Sequence, residues 1–243
     1  MKRRLLTFCD ERKHKIEMIV LHSVALSPKD AIESFCQYNV ASHYVIAEDG
    51  EIWQLVGQKK RAWHAGKSKW HNMDDINSRS IGIEFCSQSL GQKPFSEAQQ
   101  KAGLELVAKL VKKYKILPQN IVAHSDIAPT RKADPGKAFF WEYLAENGIG
   151  LWYDLSDCEK IAENDVAKLL ETIGYDVSNV KASAYAFCRR FYPEKVATVD
   201  DVWQIEKKVF SEENDILNDD MFIKILKAVA YRYLNASKTP SSM

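Results

Sequence analysis

The chain has 243 residues, 46% of them hydrophobic and 28% charged, with seven prolines and ten glycines, a composition for a globular protein with room for two domains. Its 34 Lys and Arg against 33 Asp and Glu leave a formal charge of +1, which argues against a nucleic-acid partner. No apolar run approaches the roughly 20 residues of a membrane span, and the basic start, Met1 to Arg4, leads into charge rather than a signal-peptide core.

In chain order, Met18-Ile19-Val20-Leu21 is a short β-branched run that predicts a buried strand ending at His22-Ser23. Ser27-Pro28-Lys29-Asp30 predicts a helix start, with serine as cap, proline in the first turn and Asp30 at the capping-box position. Ala31, Ile32 and Phe35 form that helix's inner stripe. Two strands follow, around residues 44–47 and 51–56, joined by the hairpin signal Glu48-Asp49-Gly50. Ile81 to Phe85 alternates: Ile81, Ile83 and Phe85 share one face, and Gly82, Glu84 and Cys86 the other. Ser96-Glu97-Ala98-Gln99 opens a long helix with Leu104, Val107, Leu110, Val111 and Tyr114 at helical spacing. Ile121-Val122-Ala123 is a last short strand, ending on His124.

After about residue 155 the strand signal disappears. Amphipathic helices are expected around Val166–Ile173, Ala184–Phe191, Val202–Ile205 and Met221–Val229. The expected organisation is therefore an α/β unit over 1–155, with a mixed central sheet flanked by helices, and a small all-helical unit over 156–243. The five cysteines, Cys9, Cys36, Cys86, Cys158 and Cys188, are odd in number and lack CxxC spacing, so they are expected to be reduced thiols, mostly buried.

Two of the six histidines, His22 and His124, end apolar strands, where side chains leave the core, and Asp134 follows ten residues after the second. Two imidazoles and a carboxylate form an open zinc set, with a fourth position left for water. The spacing alone is a weak signal, because any single histidine is more often a structural or surface residue.

Five ordered motifs add to it: Ile19-Val20-Leu21-His22-Ser23; Ser42-His43-Tyr44-Val45-Ile46; Arg61-Ala62-Trp63-His64-Ala65-Gly66; Asn77-Ser78-Arg79-Ser80-Ile81-Gly82-Ile83-Glu84; and His124-Ser125-Asp126-Ile127-Ala128-Pro129 through Lys132-Ala133-Asp134-Pro135-Gly136. Over about residues 10–152 the chain resembles the zinc-dependent N-acetylmuramoyl-L-alanine amidases of the AmpD/AmiD type. The resemblance implies zinc held by His22, His124 and Asp134, Glu84 as the proton-transferring group and Lys132 as oxyanion stabiliser. It implies hydrolysis of the bond between N-acetylmuramic acid and L-alanine, with peptidoglycan or muropeptides, including 1,6-anhydro forms, as substrate. Ser42 stands where one branch of the family has a catalytic tyrosine, which favours the glutamate version of the mechanism. His43, Trp63 and His64 fall to packing, support or cleft roles, and His14 and His71, outside any motif, to the surface. Leu169 to Asp176 and Ala184 to Phe191 resemble an appended three-helix peptidoglycan-binding unit; a helical cap on the first unit is the competing reading. A non-catalytic recognition protein, or a phage-type lytic amidase, is the alternative function. A monomer is expected. The absence of a signal peptide points to the cytoplasm, whereas the AmiD likeness points to the envelope.

Overall fold

The computed structural model describes residues 1–6, 8–196 and 216–236. Its main sheet has six strands: β1 (Lys2–Arg3), β3 (Met18–Val24), β4 (Tyr44–Ile46), β5 (Ile52–Gln54), β7 (Ser80–Cys86) and β8 (Ile121–Ala123), in the order β1-β5-β4-β7-β3-β8. The pairs β4·β7, β7·β3 and β3·β8 are parallel, whereas β4·β5 is an antiparallel hairpin turned at Gly50 with φ +82°. A separate antiparallel pair joins β2 (Cys9–Glu11) to β6 (Lys60–Ala62). The mixed sheet is the expected one.

The central strands β3 and β7 are buried on both faces, which explains their nearly continuous apolar sequence. On one face Ile19, Leu21, Ile81, Ile83, Phe85, Ile121 and Ala123 join a core with α3 (Glu97–Tyr114). On the other face Met18, Val20 and Val122 join a core built mostly of residues beyond 160. The predicted helix starts form as capped: Ser27 Oγ accepts from the Asp30 amide before α1 (Pro28–Tyr38), and Ser96 Oγ from the Gln99 amide before α3.

The inner seam of α3 differs from expectation. Gly103, Leu106, Val107 and Leu110 are buried, whereas Leu104, Val111 and Tyr114 are only partly so. Apolar spacing does not mark Gly103 as part of the seam, but its missing side chain admits a ring: a Cβ there would lie 2.9 Å from Phe85.

The helical region contains α6 (Val166–Ile173), α7 (Val180–Phe191) and α8 (Asp220–Ala236). Asp165 and Asn179 cap the first two, and Gly174, with φ +127°, ends α6. The helix expected around Val202, Trp203 and Ile205 lies outside the described residues. Leu170, Ile173, Phe187, Phe191, Phe222 and Leu226 pack in one cluster with Met18, Val20 and Val122, so the helices form the sheet's second layer. Asp126, in the helical turn α4 (His124–Ile127), ties the layers together. Its fully buried carboxylate accepts from Arg190 Nη1 at 2.8 Å, from the Tyr175 hydroxyl at 2.8 Å and from the Ala123 amide at 2.8 Å.

All five cysteines are free. Cys86 and Cys188 are buried but Cys36 is exposed, so burial holds for only part of the set. Among the described residues no helix is long and apolar enough to cross a membrane.

Candidate metal centre

The parallel register sets the site. His22 of β3 lies opposite Glu84 of β7, and His124 follows directly on β8, so these side chains gather at the carboxyl ends of the central strands. All three share the face that, farther down, packs Met18, Val20 and Val122 against the helices. The lower half of that face is core and the upper half is cleft. Asp134 arrives from the loop after α4, where the Ser125 amide donates to the Asp134 carbonyl at 3.0 Å.

Three donor atoms converge. His22 Nδ1 and His124 Nδ1 are 3.0 Å apart, and Asp134 Oδ2 lies 3.1 Å from the first and 3.0 Å from the second. Both histidines are buried, with His22 at 1% exposure. Burial, reinforced by nearby His124, pushes the His22 pKa down to about 4, which leaves a neutral ring whose lone pair is available at neutral pH. Burial would raise the Asp134 carboxyl, but the two histidines outweigh it and hold the group well below the usual carboxylate range. Among the described residues, this trio is the cluster suited to a metal ion.

Glu84 stands beside the trio without joining it. Its Oε1 is 3.9 Å from His22 Nδ1, and its buried Oε2 has no hydrogen-bond partner. Burial, with the Asp134 charge adding to it, pushes its pKa up to about 8, only partly countered by Lys132. A carboxyl poised near neutrality, in a cleft and with an uncommitted oxygen, is suited to taking and giving a proton. The cleft, of about 210 Å³, is lined by His22, Glu84, His124, Lys132 and Asp134, with Trp63 at its rim. Trp63 is 42% exposed, with the Arg61 guanidinium 4.2 Å over its ring. The five residues singled out in the sequence therefore meet in one cleft.

Other placements refine the reading. Ser42 is fully buried and its hydroxyl is unpartnered. His14 is exposed, but His71 is not a plain surface residue: its amide donates to the Gly174 carbonyl at 2.7 Å and its ring meets Trp70. His64, left open between packing, support and cleft, lies directly behind His22, with its Nδ1 3.0 Å from His22 Nε2. Asn77 has a role that the sequence does not mark. Its side-chain oxygen accepts from the His64 and Ala65 amides at 2.9 and 2.8 Å, a contact joining two motifs that no local spacing announces.

The profile of the family described as N-acetylmuramoyl-L-alanine amidase matches residues 12–137. The chain is 38% identical over 187 positions to the N-acetylmuramoyl-L-alanine amidase AmiD of Escherichia coli, a match covering 67% of this chain and 68% of the relative. It is 33% identical over 153 positions to the 1,6-anhydro-N-acetylmuramyl-L-alanine amidase AmpD of Enterobacter cloacae, covering 55% of this chain and 81% of the relative. Its fold superposes on the structure of E. coli AmiD in complex with the substrate anhydro-N-acetylmuramic acid-L-Ala-D-gamma-Glu-L-Lys with a TM-score of 0.72 and 30% identity, covering 90% of each chain. With a family profile spanning just over half its length and a relative of matching fold along nearly all of it, the chain belongs to the N-acetylmuramoyl-L-alanine amidase family.

Proposed function

We propose that this amidase hydrolyses the amide bond between N-acetylmuramic acid and the L-alanine of the stem peptide, with zinc held by His22, His124 and Asp134. The triangle of donor atoms with 3.0–3.1 Å sides carries the reading. A tetrahedral zinc site with bonds of about 2.0–2.1 Å has ligand-to-ligand edges of about 3.3 Å, close to that triangle. Two neutral imidazoles and one carboxylate are zinc's usual donors at an open site. When bound there, zinc supplies Lewis acidity and lowers the pKa of a coordinated water to about 7.

The chain's own residues supply the remaining steps. Glu84 receives the proton of the attacking water and returns it to the departing L-alanine nitrogen, which its pKa of about 8 and its free Oε2 suit it to do. Lys132, on the cleft wall, places its positive charge where the carbonyl oxygen becomes anionic. The anhydro-muramyl substrates named for AmiD and AmpD support a 1,6-anhydro muropeptide as one substrate. The helical layer extends the same proposal to a wall-binding role, for which its motif likeness is the support. The residues carrying that likeness, among them Leu170, Ile173, Phe187 and Phe191, are buried in the shared core, so any binding surface lies on their outward neighbours.

The test is digestion of an anhydromuramyl peptide and of intact sacculi, read by mass spectrometry, with and without a chelator. Release of a stem peptide bearing a free L-alanine amine, lost with chelator and restored by zinc, is the expected result. Binding without release would favour the recognition-protein alternative.

A further inference from the structure

The outer nitrogens of both imidazoles in the trio end on one short segment, Trp63 to Gly66. His124 Nε2 lies 3.2 Å from the Ala65 carbonyl. A carbonyl only accepts, so His124 Nε2 carries the proton and its Nδ1 keeps the lone pair. For His22 the chain of contacts is longer and leads to the same result. Ser80 Oγ donates to the Ile76 carbonyl at 2.6 Å, and a hydroxyl has one proton. At its 3.2 Å contact with His64 Nε2 the same oxygen must therefore accept, which puts the His64 proton on Nε2 and leaves His64 Nδ1 bare. His22 Nε2 faces that bare nitrogen at 3.0 Å, so it donates, and His22 Nδ1 is left to face His124 and Asp134.

The strand is shaped to hold this ring. A Cβ on Gly82 would lie 2.6 Å from His64 Cγ, so only glycine lets the imidazole lie flat on β7. From the other side Asn77 pins the His64 and Ala65 amides. We propose that His64, seated on Gly82 and oriented by Ser80, is a positioning residue that locks His22 in the Nε2–H tautomer and so presents its Nδ1 lone pair to the metal.

This inference rests on the metal-site reading above, and its test separates the two. Zinc affinity of the full chain is measured by competition with a chromophoric chelator for the unsubstituted protein, His64→Leu and His64→Asn. Leucine removes the acceptor, whereas the asparagine amide oxygen falls near the place of the imidazole Nδ1. Removing such an outer partner typically costs about 10- to 100-fold in metal affinity, so His64→Leu is expected to weaken zinc binding by that order and His64→Asn to stay within about threefold. Long-range nitrogen–proton NMR of the zinc-loaded unsubstituted protein is expected to place the His22 proton on Nε2, a readout independent of how either variant folds. Equal affinity in His64→Leu, equal loss in both variants, or a His22 proton on Nδ1 would overturn the proposal. An unsubstituted protein that takes up no zinc would instead overturn the metal reading itself.

Discussion

Glu84 and Asp134 are both carboxylates in one cleft, yet their surroundings push them in opposite directions. Asp134 lies 3.0–3.1 Å from the two histidines, which hold its carboxyl well below the usual range, whereas Glu84 has burial, a neighbouring negative charge and an oxygen with no partner. Glu84→Gln keeps size and removes the titrating group, so kcat is expected to fall roughly 100- to 10,000-fold with zinc content unchanged. Steady-state kinetics beside elemental analysis checks this; a variant that loses its zinc would place Glu84 among the ligands. Asp134→Asn is expected to lose zinc and activity together, because a charged ligand has been removed. Lys132→Met keeps the aliphatic stem and deletes the charge. Its kcat is expected to fall about 100- to 1,000-fold, the usual cost of one oxyanion donor, with KM moving much less.

At the level of elements, the close approach of α3 to β7 depends on Gly103. The Phe85 ring under it is held edge-on by Phe95, Phe139 and Phe140, with centroids 5.2–5.9 Å away, and has little room to yield. Alanine is favoured over glycine within a helix by about 1 kcal/mol, but overpacking of this kind costs about 1–3 kcal/mol. Gly103→Ala is expected to be net destabilising by about 1 kcal/mol in denaturant unfolding, against the helix-propensity trend. An increase in stability would mean that α3 shifts without cost.

For the whole molecule, the two layers are joined by a common core and by the buried Asp126–Arg190 pair, only two residues along the chain from His124. Removing one partner strands the other charge in the interior, a loss of about 3–5 kcal/mol. Arg190→Met is therefore expected to lower the unfolding midpoint sharply, while Asp126→Asn with Arg190→Met together recovers much of the loss. Truncation before residue 156 uncovers Met18, Val20 and Val122 and is expected to yield aggregated protein rather than a free-standing amidase unit. A soluble, active truncation would show that the first unit folds alone. The proposed zinc site is assembled only by folding, so zinc at a hundred times its Kd is expected to stabilise the protein by about 2.7 kcal/mol, seen as a thermal shift reversed by chelator.

Local chemistry was legible in the amino-acid order. Apolar runs ending in His22 and His124, the serine caps before α1 and α3, the alternation that turns Glu84 away from Ile83 and Phe85, and five ordered motifs all speak through neighbours close in the chain. Those features were enough for the sheet, the family and the five cleft residues. Other features depended on partners far apart in sequence, and only the tertiary structure decided them. The seam of α3 runs through a glycine because a phenylalanine from another element needs the space. The helical region shares the sheet's core because Val20 and Val122 pack on that face in one cluster with Leu170, Phe187 and Leu226, residues far away in the chain. His64 stands behind His22 because Gly82, Ser80 and Asn77 converge on it from a different stretch of chain. Periodicity and capping act over a few residues and can be read in order along the chain; the proton positions on a buried imidazole follow from what surrounds it in space.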